Sequence, residues 1–305
     1  VARIALNGTE INHRQTGSGE DAIFIHGLGA NLAFWRFEAL VALGRSYRVT
    51  VYDLRGHGYS GMPPTGYSTA DMADDLTALC DHLGIVSAHL VGHSFGGLVA
   101  LQQAALRPER VRSVTVIDSR IRALQPAIDL SSWRDADALG RVLHEAGLRL
   151  PDDDAEPGIT ALDHLASPEV RQHLHRLQTL ESFEGYVPFG GRHGGNRSAE
   201  RWRALATRTS APRDFRDLAG LDEARLGRVR APMFLLYGAA SHCAPSGKKL
   251  AALLPQARLA LVPDAGHYFP VTRPQALVEP VGDFLAGVGK GTARAAGAVL
   301  AEAAR

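Results

Sequence analysis

Ala88-His89-Leu90-Val91-Gly92-His93-Ser94-Phe95-Gly96-Gly97-Leu98-Val99 is the stretch from which this chain is read. It opens with a short apolar run that ends at Val91, and from Phe95 to Leu106 the pattern is helical. Between the two lies Gly92-x-Ser94-x-Gly96. A serine on so sharp a strand-to-helix turn is lifted clear of the sheet, and the glycines allow strained backbone and close helix–strand packing. The helix N-terminus beneath it favours negative charge developing nearby. Ser94 is therefore the candidate nucleophile, with a tight turn carrying an inert serine as the alternative.

Outward from this turn, short apolar runs alternate with helical segments. Arg3 to Leu6 and Ile11 to Gln15 flank Asn7-Gly8, a hairpin signal. Ala22 to Ile25 reads as a strand buried on both faces, followed by a helical stretch from Leu32 to Leu43 and a strand from Arg48 to Tyr52. Residues 69–83 place Met72, Leu76, Leu79 and Leu83 on one helical face, with Thr69 as expected N-cap and Gly84 as stop. Val111 to Ile117 is a further strand. Such alternation indicates a parallel α/β sheet. Residues 120–225 break the pattern: they read as mostly helical, with 131–146, 168–182 and 198–207 as the helix candidates and a glycine-rich loop at 189–195. The alternation resumes with Met233 to Tyr237, Lys248 to Leu254, Arg258 to Val262 and Pro274 to Leu285. The expected organisation is a sheet domain of 1–119 and 226–288, a helical insertion of 120–225, and a terminal tail of 289–305.

Composition narrows the function classes. The chain has 305 residues, 45% hydrophobic and 21% charged, with a net charge of +1. No basic stripe suggests a nucleic-acid partner. No apolar run approaches the roughly 20 residues of a membrane span. Two cysteines do not make a disulfide framework, and the expected setting is the cytoplasm. Neither a metal-ligand cluster nor a nucleotide-binding glycine loop is visible, so no cofactor is expected. Oligomeric state is not legible.

Two further places fit chemistry around Ser94. His26-Gly27-Leu28-Gly29 ends an earlier strand, so the backbone N–H groups of Leu28 and Phe95 are candidates for an oxyanion hole. His267, in Asp264-Ala265-Gly266-His267, follows the strand 258–262. Of 13 histidines, position selects this one as the general base, since a loop at a strand's C-terminal end is where a sheet-based catalytic group belongs.

Together, His26-Gly27-Leu28-Gly29, Asp53-Leu54-Arg55-Gly56-His57-Gly58-Tyr59-Ser60, Gly92-His93-Ser94-Phe95-Gly96-Gly97 and Gly266-His267 resemble the α/β-hydrolase superfamily, in its serine-nucleophile branch with a helical cap. The resemblance spans residues 1–286. It implies a mostly parallel eight-stranded sheet flanked by helices, with the cap inserted after the sixth strand, and it gives Asp53, Arg55 and His57 a structural role. Members usually carry the triad acid in a G-x-x-D pattern after the strand that follows the cap. Here that stretch reads Gly238-Ala239-Ala240-Ser241, and Ser241 offers no carboxylate. Members lacking that acid can carry it at the end of the strand after the elbow helix, where this chain has Asp118, 24 residues after Ser94 (118 − 94). The resemblance thus makes Asp118 the expected partner of His267, with Asp264, or no acid at all, as alternatives.

The expected function is a serine hydrolase acting through an acyl-enzyme on a small-molecule carbonyl substrate: an ester, lactone, thioester or a C–C bond next to a ketone. A serine at the elbow sets it apart from relatives that use aspartate there, the dehalogenases and epoxide hydrolases. Trp133, Phe183, Tyr186, Phe189 and Trp202 are the expected substrate contacts from the insertion. Two other classes remain open: a lyase or cofactor-free dioxygenase using the His–Asp pair, and a binding protein that kept the fold.

Overall fold

The computed structural model describes residues 2–35, 37–129, 140, 143–144, 146–150, 156–173, 186, 188–189 and 195–289. The strands are β1 (Ala2–Leu6), β2 (Thr9–Thr16), β3 (Glu20–Ile25), β4 (Tyr47–Tyr52), β5 (Ala88–His93), β6 (Val111–Ile117), β7 (Met233–Gly238) and β8 (Ala257–Val262). They form one eight-stranded sheet in the order β1-β2-β4-β3-β5-β6-β7-β8. β1 and β2 make the expected hairpin, with φ of 48° at Asn7 and 74° at Gly8, the conformation an Asn-Gly turn adopts at least cost. β2 pairs antiparallel with β4, and every later pairing is parallel.

Successive side chains on a strand point to opposite faces, and here both faces are dry. On β7, Met233, Leu235 and Tyr237 join one core with Ile23 and Ile25 of β3, while Phe234 and Leu236 join the other with Phe24. Helices α2 (Thr69–His82) and α3 (Phe95–Leu106) cover the first face through residues such as Met72, Leu76 and Val99; α1 (Phe37–Gly44) and the C-terminal helix Gln275–Gly289 cover the second through Leu43, Leu277, Val281 and Phe284. Double-sided burial is why these strands read as continuous apolar runs rather than alternating ones.

Local differences from the expected elements have identifiable causes. The N-cap of α2 is Ser68 and not Thr69: its hydroxyl accepts from the Asp71 amide at 3.2 Å while the Asp71 carboxylate accepts from the Ser68 amide at 3.0 Å, a reciprocal box. The stretch expected as one helix from Leu32 to Leu43 is a 3₁₀ turn (Leu32–Phe34) and α1, separated at the extended residue Trp35.

Between β6 and β7 the described residues contain helices and no strand. They include α4 (Pro157–Ala166), α5 (Gly195–Arg208) and single turns at Pro168–Arg171, Ala211–Asp214 and Glu223–Leu226. The expected helix 198–207 lies within α5. Of 168–182, residues 168–171 are helical, and 174 onward lies outside the described residues, as does most of 131–146. Helix α4 was not anticipated, although Pro157 at its first turn and the buried Ile159, Leu162 and Leu165 at three-residue spacing carry a helix signal. The helix Gln275–Gly289 extends four residues beyond the expected end at Leu285 (289 − 285); residues 290–305 lie outside the described set. Among the described residues no helix is long and apolar enough to cross a membrane.

Candidate active site

Ser94 stands between β5 and α3 with φ 54° and ψ −122°, a backbone conformation that L-residues rarely adopt. The surroundings hold it there. Its amide donates to the Ile117 carbonyl at 2.9 Å, and its carbonyl accepts from the Gly97 amide at 3.0 Å. A Cβ on Gly96 would collide with the carbonyl oxygens of Ile25 and His26, and one on Gly27 would stand 2.8 Å from Ser94 Cβ. The glycines thus let the turn and the 26–29 loop touch, and this close approach sets Leu28 beside Ser94.

Asp118 follows β6, also with positive φ, 46°, and is wholly buried. An ionised carboxylate in such a place needs its lone pairs filled. Its Oδ2 accepts from the Gly238 amide at 2.7 Å; its Oδ1 accepts from the Ser241 hydroxyl and lies 3.0 Å from Nδ1 of His267. A carboxylate oxygen can only accept, so the hydrogen bond to it requires the proton on Nδ1 of His267. Among the described residues Asp118 has no Lys or Arg in ion-pair contact; its salt-bridge partner is His267. Ser241, the residue standing where relatives usually carry the acid, is a donor to an acid supplied by the neighbouring strand. Asp264 is exposed, in a left-handed turn with φ 49°, and its carbonyl accepts from Arg273 at 2.8 Å.

Burial keeps the neighbouring histidines and the thiol beside this pair in their neutral forms. His93 donates from Nε2 to the carbonyl of His267 at 3.0 Å and stacks on Phe34, ring centroids 4.5 Å apart. Burial, and then the neighbouring His267, push its pKa down to about 3. Burial likewise lowers His26 to about 4, and it acts structurally: Nδ1 donates to the Gly27 carbonyl at 2.8 Å and Nε2 accepts from the Leu54 amide at 3.1 Å. Burial, followed by the charge of Asp118, holds the Cys243 thiol protonated, its pKa well above the ordinary thiol value. Asp53 and Arg55, given a structural role by the resemblance, both sit in buried hydrogen-bond networks. Asp53 accepts from Asn12, Leu32 and Tyr59, and Arg55 holds Asp75 through two bonds, the Nε one at 2.6 Å.

Ser94, His267, Leu28 and Phe95 line one cavity of about 180 Å³. Its walls are largely apolar, from Phe34, Leu98, Ile121, Ile159, Leu162, Leu165 and Phe215, with Arg120, Arg122, Glu156 and Asp217 also at the lining. Arg120 and Glu156 pair at 2.8 Å, both largely buried. Of the expected substrate contacts, Tyr186 lines the cavity and packs on Tyr268 at 4.8 Å. Phe189 packs against Gly29, and Trp202 bonds Asp163 at 2.8 Å and lines a separate cleft beside the 56–59 loop. Trp133 and Phe183 lie outside the described residues. The walls from α4 and from 215–221 were missed because α4 was not recognised and the turns near Phe215 have no periodicity to read.

A sheet of this order, with a strained serine before a helix and a histidine after the last strand, defines an α/β-hydrolase fold. Residues 23–274 match the family described by that name, the alpha/beta hydrolase fold. The chain belongs to this family and is a hydrolase. It is 30% identical to the proposed carbamate hydrolase RutD of Pseudomonas savastanoi pv. phaseolicola, over 90% of this chain and 97% of that one. It is also 30% identical to the 2-(acetamidomethylene)succinate hydrolase of Mesorhizobium japonicum, over 93% and 94%. The crystal structure of an enol-lactonase from Burkholderia xenovorans LB400 superposes with a TM-score of 0.62 at 23% identity, covering 93% of this chain and all of the other (100%); at that identity the likeness concerns the fold.

Proposed function

We propose that the chain is a serine hydrolase that transfers an acyl group to Ser94 and then to water, with His267 as general base and Asp118 as the acid that orients it. The observation that carries this reading is the 3.0 Å contact of His267 Nδ1 with Asp118 at the wall of the cavity that Ser94 lines. In the first step Ser94 Oγ bonds to the substrate's carbonyl carbon and its proton passes to Nε2 of His267. The carbonyl oxygen becomes an oxyanion facing the amides of Leu28 and Phe95. Each such donor is worth on the order of 3 kcal/mol because the charge it meets exists only near the transition state. His267 then gives its proton to the leaving group, and the acyl-enzyme is hydrolysed by the reverse proton route through water. Asp118 stays ionised throughout and stabilises the imidazolium.

Residues 120–225 act in this reading as a cap over the strand ends. Supporting contacts are those of Leu162 and Phe189 against Gly29, and the Ser210 amide donating to Pro64 at 2.9 Å. The largely apolar cavity, with the Arg120–Glu156 pair in its lining, suits a compact acyl group carrying a polar substituent. Esters, lactones and thioesters come first for assay, and the names of the relatives add carbamates and acetamido compounds. The deciding experiment is intact-mass analysis after fluorophosphonate treatment of the wild type and Ser94→Ala. One adduct on the wild type and none on the variant is expected; an adduct that persists in Ser94→Ala overturns the assignment.

A further inference from the structure

Around His267 lies a second grouping, which adds to it two residues that the proposed reaction does not use. A ring nitrogen of His242, the Sγ of Cys243 and a ring nitrogen of His267 lie within 4.8 Å of one another. Cys243 Sγ is 3.7 Å from Nδ1 of His267. A tetrahedral zinc ion with Zn–S of about 2.3 Å and Zn–N of about 2.0 Å separates those two ligand atoms by about 3.5 Å. One edge of a coordination tetrahedron therefore already has the right length, and closing the remaining distances, together with turning Nδ1 of His267 from Asp118 to the metal, asks up to about 1.5 Å of movement from side chains that line the cavity.

We propose that His242, Cys243 and His267 form an inhibitory site for a thiophilic divalent cation such as zinc. The donor set is two imidazoles and one thiol, the chemistry of zinc, cadmium and cobalt rather than of magnesium or calcium, which take oxygen ligands. Charge supports the assignment: the thiolate formed on binding and the buried Asp118 beside it together balance a divalent ion. All three ligand residues line the same cavity as Ser94, so an ion entering that cavity reaches them.

The chemistry balances without an added reactant. On capture the Cys243 thiol loses its proton to solvent and its sulfur bonds the metal. The proton on Nδ1 of His267 moves to Nε2, freeing the Nδ1 lone pair for the metal. No oxidation state changes. The consequence depends on the reading of His267 as base: Nε2 now bears hydrogen and cannot take the proton of Ser94. Nδ1 no longer donates to Asp118. The ion thus shuts the site by reversing the tautomer that Asp118 selects.

The test uses tag-free, chelator-treated protein. Cobalt(II) is added to wild type, Cys243→Ala and His242→Ala, with near-ultraviolet absorption read for the thiolate-to-cobalt charge-transfer band. Zinc affinity is measured in parallel by competition with a chromophoric chelator. Thermal melts of the metal-free proteins check that each variant is folded. The expected result is one zinc per chain, a charge-transfer band in wild type and His242→Ala but not in Cys243→Ala, and zinc binding weakened on the order of 10- to 100-fold in both variants. Zinc should inhibit hydrolysis by the wild type and be reversed by chelator. No charge-transfer band in wild type, or zinc affinity unchanged in folded Cys243→Ala, overturns the site. These binding readouts do not require turnover, so failure of the Ser94 reading leaves them interpretable. Inhibition without binding at these residues overturns the proposal while leaving the hydrolase reading intact.

Discussion

The ends of β6 and β7 lie side by side and serve the same histidine, yet only the first carries a charge. After β6, Asp118 turns into the left-handed region and aims both carboxylate oxygens toward its neighbour strand. After β7, the Gly238 amide and the Ser241 hydroxyl supply the donors that a buried carboxylate needs. Relatives usually place the acid on the β7 side, which leaves an acceptor there. Here the polarity is exchanged: the acceptor sits at β6 and β7 provides the hydrogen bonds. His267 thus meets a carboxylate carried by one strand end and held by donors from the next. What must move together with the acid is its set of donors.

The largest effect should come from breaking the β6 end. Asp118→Asn keeps the shape but offers an amide where the carboxylate met Nδ1, allowing the wrong tautomer. A fall in kcat on the order of 10³- to 10⁴-fold is expected, by analogy with the serine-protease triad, with KM little changed. Steady-state kinetics on a chromogenic ester that the wild type turns over reads this directly. A variant within threefold of wild type would sink the role given to Asp118. The sharper test moves the charge back across the strands. Asp118→Asn combined with Ser241→Asp should exceed Asp118→Asn alone by more than about tenfold, equivalent to about 1.4 kcal/mol. A double variant no faster than the single one means that β7 of this chain cannot present a carboxylate to His267.

A smaller effect is expected from the donor side. Ser241→Ala removes one hydrogen bond to the carboxylate and the acceptor that the Cys243 amide uses at 3.1 Å. Hydrogen bonds to charged groups contribute about 1.5–3 kcal/mol; with Gly238 and His267 still in place, the loss in kcat/KM should be about tenfold. Ser241→Thr keeps the hydroxyl and should recover most of it. If the alanine and threonine variants behave alike, the hydroxyl is not the relevant feature.

Much of this was legible in the sequence because it rests on backbone rules. The hairpin at Asn7-Gly8, the paired apolar strands and the Ser94 turn each follow from local geometry. Position at a strand end pointed to His267, and the missing carboxylate at Ser241 pointed to Asp118 through a family resemblance. The donation from Ser241 to Asp118 was not legible, because it joins residues 123 positions apart and a serine in a loop has no pattern of its own. The cavity wall was harder still. Helix α4 opens with Pro157-Gly158, a turn signal, and Arg120 meets Glu156 only when the segment between β6 and β7 has folded over the sheet.

The ends of β3 and β5 differ from that of β6 in the charge they hold, and this difference gives the gentlest test. The ends of β3 and β5 carry histidines, His26 and His93, with His57 close by, so a positive charge could stand there; burial keeps all three neutral. Their folded pKa values are about 4, 3 and 3, against 6.5 in an unfolded chain. Below 6.5 the unfolded chain therefore binds more protons than the folded one, so stability falls as pH drops from 6.5 toward these folded values and is fully present above 6.5. At pH 5.5, one unit below the unfolded value, each histidine costs about 1.4 kcal/mol, about 4 kcal/mol for the three. The melting temperature should drop by several degrees between pH 7.5 and 5.5, and His57→Gln, which keeps a side-chain N–H for the Arg55 carbonyl that His57 meets at 3.0 Å, should flatten that slope by removing about 1.4 kcal/mol of the loss. An unchanged slope would mean that His57 is charged or solvated in the folded protein. In that case a positive charge would stand beside His26, whose ring centroid lies 5.4 Å from that of His57, and the end of β3 would no longer be neutral.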